Sequence, residues 1–516
     1  MAPDPRPLPP PPDPGPGLIA RLRADLSAAR YTVAHLADLL GPVAVAALDR
    51  EEPLPARLAA RASDDPAAVL TLLFALGEPV TRSQVDRALP GVGADGATRL
   101  GLVRAAGTGR ADEVQALLDL RPVGAGPVEL WLASDLGEAV TGAALDPGHV
   151  LGVGGAGRTL AELTIRTPVA RALDLGTGSG IQALNVAEFA GSVTGTDISE
   201  RALRFAAFNA ALNELSVDLR SGDGLGPVAG ERFDLIVSNP PFVITPRSAA
   251  PTITYRDGGR RGDDFVAALV RALPEHLAPG GVAQLLANWE IPEGADWTER
   301  VEDWTAALGT DVWVIQREMT DPARYAETWL RDGGLSPERD RDAWERAYRA
   351  YLDDFASRGV EAIGFGYITL RRPATERPPW RRLEDLTAPL PPAPGAALAA
   401  TLDAVEVVRH GRPGSGEDFL ERAYVVPEHV TEERHYRPGQ PHPEVILLHQ
   451  GGGLGRRVQV TSHTAALVGA CDGDLTAAQI IAALGVLSDE PVEQIRDEVA
   501  PAFRGLYLDG FVHPSG

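Results

Sequence analysis

Seven short apolar runs recur through the middle of the chain, at 172–175, 192–197, 217–221, 233–238, 282–288, 312–317 and 364–371. Each has the length of a buried strand, and helical patterns lie between most of them. This alternation constrains the fold strongly, because parallel neighbours need crossovers that cover both faces of a sheet. The expectation is an α/β unit with an open, mostly parallel, seven-stranded sheet over residues 126–372. The last two runs are separated by 320–359, which carries Trp329, Trp344, Tyr348 and Tyr351 among many charges and reads as an inserted helical pair.

The chain has 516 residues, room for about three domains. Residues 1–17 are proline-rich and read as a disordered leader. Residues 18–125 read as helical, with helical spacing from Leu18 to Leu40 and a second helix opened by Asp65-Pro66 and running through Phe74. Thr81-Arg-Ser-Gln84 fits a capping box. The strand reading at Leu100 to Ala106 completes a winged-helix-like pattern, either a recognition domain or a packing domain without a ligand. Prolines at 378–379 and from 389 to 394 mark 373–400 as a linker. Residues 401–516 should form a small α+β accessory domain, whose end from Thr461 to Val512 resembles a second winged-helix unit.

The net charge is -23, which disfavours non-specific binding of polyanions but leaves room for a local basic site. Residues 1–125 are nearer neutral, with 13 Arg against 15 Asp plus Glu. Every basic residue other than histidine is arginine, so Schiff-base chemistry and a phosphate loop built on lysine are excluded. Cys471 is the single cysteine, so no intrachain disulfide forms. With no signal-like start and no run of membrane-spanning length, a cytoplasmic location away from membranes is expected. His435, His442, His449 and His463 lack the spacing of a metal site, and Gln450-Gly-Gly-Gly453 reads as a turn.

The chemistry gathers at strand ends. Asp174-Leu175-Gly176-Thr177-Gly178-Ser179-Gly180 closes one strand and opens a helix, and its glycines let a ligand approach the backbone. Asp197 ends the next strand, where a carboxylate can take both hydroxyls of a ribose. Ile198 offers an apolar face beside it, and Ser199 fits a helix N-cap. Asp223-Gly224 follows the third strand. Asn239-Pro240-Pro241-Phe242 follows the fourth, a rigid turn stripped of two N–H donors. The Asn239 oxygen and the Pro240 carbonyl can each take one hydrogen of a planar NH2 group, and Phe242 can stack on it.

Together these segments resemble class I S-adenosylmethionine-dependent methyltransferases, in particular the small-domain enzymes acting on guanine N2 of ribosomal RNA or on glutamine of release factors. The resemblance covers Asp174 to about Asn288. It implies a Rossmann-like core with S-adenosylmethionine as cofactor. Asp174 would hold the methionine end or order the loop, Asp197 the ribose, and Ile198 and Asp223 the adenine. Relatives also cover the cofactor with a loop placed like His149 to Leu160, which brings Thr159 and Arg158 to its carboxylate. They keep a glycine-rich substrate loop at the place of Tyr255-Arg256-Asp257-Gly258-Gly259, beside Arg260 and Arg261. The implied activity is N-methylation of a macromolecule, an RNA base or a glutamine of a translation protein. A small-molecule acceptor, or a cofactor-sensing winged-helix regulator without catalysis, are the competing readings.

Overall fold

All seven apolar runs become strands of one sheet in the computed structural model, which describes residues 8–13, 15–50, 52–124, 129–142, 145–247, 257–410 and 419–515. In chain order they are β1 (Val169–Leu175), β2 (Ala190–Asp197), β3 (Asp218–Ser221), β4 (Phe233–Ser238), β5 (Leu277–Pro292), β6 (Asp311–Thr320) and β7 (Val360–Arg371). An eighth, β8 (Arg381–Asp385), pairs in parallel with β6. The spatial order is β8-β6-β7-β5-β4-β1-β2-β3, with β7 antiparallel to both neighbours and β1 to β5 parallel. The chain direction across the sheet reverses between β1 and β4. Such a switch point opens a crevice beyond the carboxyl ends of the strands.

Strand β8 corrects the linker expected at 373–400. The prolines flank the strand instead of preventing it, and Gln316 Nε2 donates to Asp385 Oδ1 at 2.7 Å. A helix, Pro394–His410, then starts inside the same stretch. The long insert is a helical pair, Pro322–Asp332 and Arg341–Ala356, between β6 and β7.

The chain divides into two compact units, and the expected boundary at 125/126 is not one of their borders. It falls between the two strands of an antiparallel pair, Leu118–Gly124 and Glu129–Asp135, which we call the hairpin. Helix Glu200–Leu212, which follows β2, clasps this hairpin: Asn209 Oδ1 accepts from Ala133 N at 2.7 Å and Asn213 Oδ1 from Trp131 N at 2.9 Å. Phe205, Phe208 and Leu212 of that helix share a core with Leu22 and Leu26, so the N-terminal helices and the sheet belong to one unit. The stretch Leu18 to Leu40 is two helices, Pro16–Ala28 and Val33–Leu40, broken where Arg30 adopts a φ of 50°.

The capping box at Thr81 and Gln84 is present. It starts helix Arg82–Ala88, preceded by strand Val80–Thr81 and followed by helix Gly93–Arg99 and strands Val103–Ala105 and Glu113–Ala116. The last strand lies between the other two, which is the element order of a winged helix. The leader is also corrected where it is described. Pro12 is buried, and Asp13 N donates to Leu100 O at 3.0 Å. A stiff proline segment loses little entropy on docking, and its carbonyls remain free to accept.

The second unit comprises residues 162–167, 375–380 and 387–516. It holds two three-stranded sheets, and helices Ser462–Gly469, Ala477–Ser488 and Val492–Leu508 pack around Tyr424, Ile495 and Phe503. Among the described residues no helix is long and apolar enough to cross a membrane.

Trp289 of β5 is fully buried, stacks on Trp297 at 5.6 Å between ring centroids and donates to Gln316 Oε1 at 3.1 Å. It fits only because its β7 partner is Gly364, where any Cβ would overlap the indole nitrogen. Gly364→Ala should lower stability by about 1–3 kcal/mol through overpacking, read from denaturant midpoints. An unchanged midpoint would refute this account of the β5–β7 pairing.

Candidate cofactor and acceptor site

The loop after β1 is set by a buried carboxyl. Asp174 is 1% exposed, and its Oδ2 accepts from Thr177 Oγ1 at 2.6 Å and from Ala183 N at 2.8 Å. Burial pushes the Asp174 carboxyl up to about 7, against the pull of those two bonds. Gly176, Gly178 and Gly180 take φ values of 75°, 55° and 92°, the left-handed turns that glycine accepts without strain. A Cβ on Gly176 or Gly178 would meet nothing within 4 Å, so the loop presents bare backbone to open space.

Asp197 closes β2 beside that loop. Its Oδ2 accepts from Gly178 N at 2.9 Å and its Oδ1 from Ser199 N at 2.8 Å, so backbone N–H groups hold the carboxylate in place. Burial shifts its ionisation to higher pH, and the backbone N–H bonds oppose this. Ile198 is 61% exposed, an unusual state for a large apolar side chain. Ser199 caps helix Glu200–Leu212 through Ala202 N at 3.2 Å. Gly222 N donates to Asp197 O at 3.0 Å, which brings Asp223 and Gly224 alongside.

These groups line a cavity of about 410 Å³. Its other walls are the loop from Pro147 to Gly157, Gln182, the turn from Ser238 to Pro241, and Asp257 to Gly259. At the end of β4, Ser238 Oγ donates to Leu175 O at 2.7 Å and fixes the turn against β1. Asn239 Oδ1 is buried and has no partner among the described residues, and neither has Gln182 Oε1. A buried acceptor left unmade costs about 1–3 kcal/mol, so both atoms point to a ligand that donates to them.

Of the residues singled out in the sequence, Gly176, Thr177, Gly178, Ser179, Asp197, Ile198, Asp223, Gly224, Asn239, Pro240 and Pro241 line this cavity. Asp174, Gly180, Thr159 and Phe242 are not among its lining residues. The Asp174 carboxyl turns inward and orders the loop. Gly180 packs the loop against helix Glu200–Leu212, where a Cβ would stand 3.2 Å from that of Ala206. The loop before β1 does reach the cavity, but through Pro147 to Gly157 rather than Thr159, and Arg158 faces Asp49 at 3.7 Å. Asp257 to Gly259 line the cavity, Arg260 and Arg261 are exposed, and Tyr255 and Arg256 lie outside the described residues.

The Phe242 ring packs edge-on to Trp329 of the insert at 6.3 Å. The sequence reading missed what lies behind it. Tyr325, also on the insert, is buried, and its Oη accepts from Ile244 N and from Asn288 Nδ2, each at 2.8 Å. The insert thus fastens the chain leaving the Asn-Pro-Pro turn. Only the polar Asn288 at the end of an apolar strand hinted at this.

Two predictions follow from these geometries. A carboxyl that ionises near 7 in the fold and near the ordinary ~3.9 in the unfolded chain keeps a proton in the fold that the unfolded chain has released. Its stabilising share is complete below the lower value and is lost as pH rises through the upper one. Asp174→Asn should therefore gain on the wild type between the two by about 1.4 kcal/mol per pH unit, read from denaturant midpoints. A constant gap would mean that Asp174 is ionised throughout. Tyr325→Phe strands two buried donors and should cost about 1–3 kcal/mol per donor. Calorimetric unfolding checks this, and an unshifted transition would remove the pin.

Comparison with known proteins places these features. Residues 155–296 match the methyltransferase small domain, and residues 28–117 match a domain of unknown function, DUF7059. The release factor glutamine methyltransferase of Koribacter versatilis is 37% identical over 155 residues, covering 28% of this chain and 55% of that protein. The ribosomal protein uL3 glutamine methyltransferase of Bradyrhizobium diazoefficiens is 39% identical over 140 residues, 25% of this chain and 44% of that one. The ribosomal RNA small subunit methyltransferase C of Alcanivorax borkumensis is 32% identical over 122 residues, 24% and 33% of the two chains. The chain thus spans about half or less of the length of the curated relatives it matches. A solved T. thermophilus 16S rRNA N2 G1207 methyltransferase, in complex with AdoMet and guanosine, aligns over 49% of this chain and 67% of its own, with a TM-score of 0.27 and 17% identity. The sheet around the matched segment is the class I methyltransferase fold.

Proposed function

We propose that this chain, built around a methyltransferase small domain, is an S-adenosylmethionine-dependent N-methyltransferase whose acceptor is a planar amide or amino nitrogen of a macromolecule. The observation that carries the reading is the buried, unpartnered Asn239 Oδ1 on the wall of the cavity. Bound in this cavity, S-adenosylmethionine supplies an electrophilic methyl group on a sulfonium, a good leaving group. The residues present fit it: open glycine backbone for close approach, the Asp197 carboxylate on the cavity wall for a vicinal diol, and exposed Ile198 as an apolar face.

At the acceptor side, Asn239 Oδ1 and the Pro240 carbonyl each receive one hydrogen of the NH2 group. This aims the nitrogen lone pair into the cavity. Positioning of this kind supplies much of the rate. As the N–C bond forms, the nitrogen becomes more acidic. Asn239 holds the departing proton until water takes it, so no histidine or cysteine is needed. The curated relatives act, by their names, on a release factor, ribosomal protein uL3 and ribosomal RNA. For this chain we take the acceptor to be of the same kind, an RNA base or a protein glutamine of the translation machinery, in the cytoplasm. The winged-helix element order near the N-terminus fits a part that meets such a substrate.

Calorimetry should show S-adenosylmethionine binding, weakened by about 2 kcal/mol or more in Asp197→Ala through loss of charge-assisted bonds. Asn239→Ala should bind cofactor normally but transfer no methyl group. Full turnover in Asn239→Ala would sink the nitrogen mechanism. Tritiated cofactor incubated with extract of a strain lacking the gene, then digested with ribonuclease or protease, decides the acceptor. Label that resists both digestions and passes a dialysis membrane would make it a small molecule.

A further inference from the structure

The cavity wall from Pro147 to Gly152 belongs to no helix or strand, so something else must hold it. Its fastening is Asp135, the last residue of the hairpin. Asp135 N donates to Val150 O at 3.1 Å, and Val150 N donates to Asp135 Oδ2 at 2.8 Å. The Asp135 side chain is only 2% exposed, and a buried carboxylate needs a cation. Arg201 provides it, with Nε 3.3 Å from Oδ2 and Nη2 bonded to Oδ1. Arg201 stands in the first turn of the helix that begins directly after Asp197, Ile198 and Ser199. Its guanidinium also lies over the Phe205 ring, 5.3 Å from the centroid.

One arm of that fork is left, and it is spent on the N-terminal segment: Arg201 Nη1 donates to Pro9 O at 2.6 Å. Leu8 lies against the same wall, since a Cβ on Gly148 would stand 3.7 Å from Leu8 Cδ1. Four residues on, Asp13 N is tied to Leu100 O. Residues 8–13 are therefore anchored at one end and reach the edge of the cavity at the other.

We propose that residues 8–13 are a strap that closes the His149 side of the cavity, and that Arg201 is the positioning residue joining strap, wall and adenosine-side loop. This rests on S-adenosylmethionine being the cavity's ligand. The Arg201 fork holds the Asp135 carboxylate and the Pro9 carbonyl at once, which a single lysine ammonium does not do in the same geometry. When the strap is docked, the wall from Pro147 to Gly152 is held inward. When it is released, Arg201 keeps Asp135 but the wall loses its outer support, and the cofactor leaves faster. The chain's proline-rich start thereby sets the residence time of the cofactor.

The test is stopped-flow and calorimetric binding of S-adenosylmethionine to the full chain and three variants. Deleting residues 2–10, or replacing Leu8→Asp in the full chain, should raise the dissociation rate about tenfold, equivalent to about 1.4 kcal/mol. The association rate and the unfolding midpoint of the ligand-free protein should be unchanged, which a general loss of packing would not leave intact. Arg201→Lys keeps a charge beside Asp135 but loses the fork, and should fall between wild type and deletion. A dissociation rate within twofold of wild type in both strap variants overturns the strap. A raised rate in those variants with none in Arg201→Lys overturns the role of Arg201. No binding by the wild type overturns the cofactor reading and the strap with it, whereas binding without methyl transfer leaves the strap standing and removes only the proposed reaction.

Discussion

The cavity depends on one buried carboxyl. Asp174 is 1% exposed and takes a hydrogen from Thr177 and another from Ala183, and between them lie Gly178, Ser179 and Gly180. With its two ends tied to one oxygen, the loop turns Gly178 N toward Asp197. Asp197 in turn holds Ser199 N, and Ser199 caps the helix whose Phe205 and Phe208 reach into the N-terminal core. A solvated aspartate would give the loop no such anchor, because water would compete for the same oxygen. Burial raises the cost of its charge and strengthens its bonds together. The sequence of dependence therefore runs from an inward-facing acid, through the cofactor loop, to the packing of a region more than a hundred residues upstream.

Across the switch point the logic is reversed. There the chain leaves polar atoms unmet instead of tying them. Asn239 Oδ1 and Gln182 Oε1 are buried without partners on the cavity wall, while the chain leaving the Asn-Pro-Pro turn is held tightly by Tyr325. Ser238 secures the other side of the turn through Leu175 O. A turn pinned on both sides cannot relax to satisfy its own amide, so the unmet acceptor persists until a donor arrives. Two prolines serve the same end by removing N–H groups that would otherwise fold back onto it.

Legibility in the sequence followed the range of the interactions involved. Asp197, Asp223 and Asn239 were readable because each stands at or just after the end of a strand whose apolar run is local, and a parallel sheet brings successive strand ends to one edge. The capping box at Thr81 was readable for the same reason. Strand β8 was not, since the prolines that flank it look like a linker, and its partner β6 lies some seventy residues earlier. The hairpin from Leu118 was hidden because its clasp comes from Asn209 inside a helix and Asn213 at that helix's C-cap. The leader looked disordered by composition, yet its acceptors find Arg201 nearly two hundred residues away. Thr159 and Phe242 lie in segments that reach the cavity without lining it themselves, because periodicity does not say which residue of a loop or turn faces inward.

The absence of lysine has a structural meaning that the net charge of -23 conceals. Around the site, arginines are spent inside the protein. Arg201 pairs with Asp135, Arg300 with Asp263 and Arg358 with Glu290, each acid being buried. Planar forks suit such pairs because one guanidinium can satisfy both oxygens of a carboxylate and still reach a carbonyl. Cations used this way frame the site but do not attract a polyanion. Arg260 and Arg261, exposed beside the cavity wall at Asp257 to Gly259, are of a different kind, because they remain on the surface next to the acceptor side. Selection of the proposed acceptor then rests on the shape of the cavity and on the hydrogens offered to Asn239. Long-range electrostatic attraction contributes little to that choice, since at physiological salt its reach is only about 8 Å.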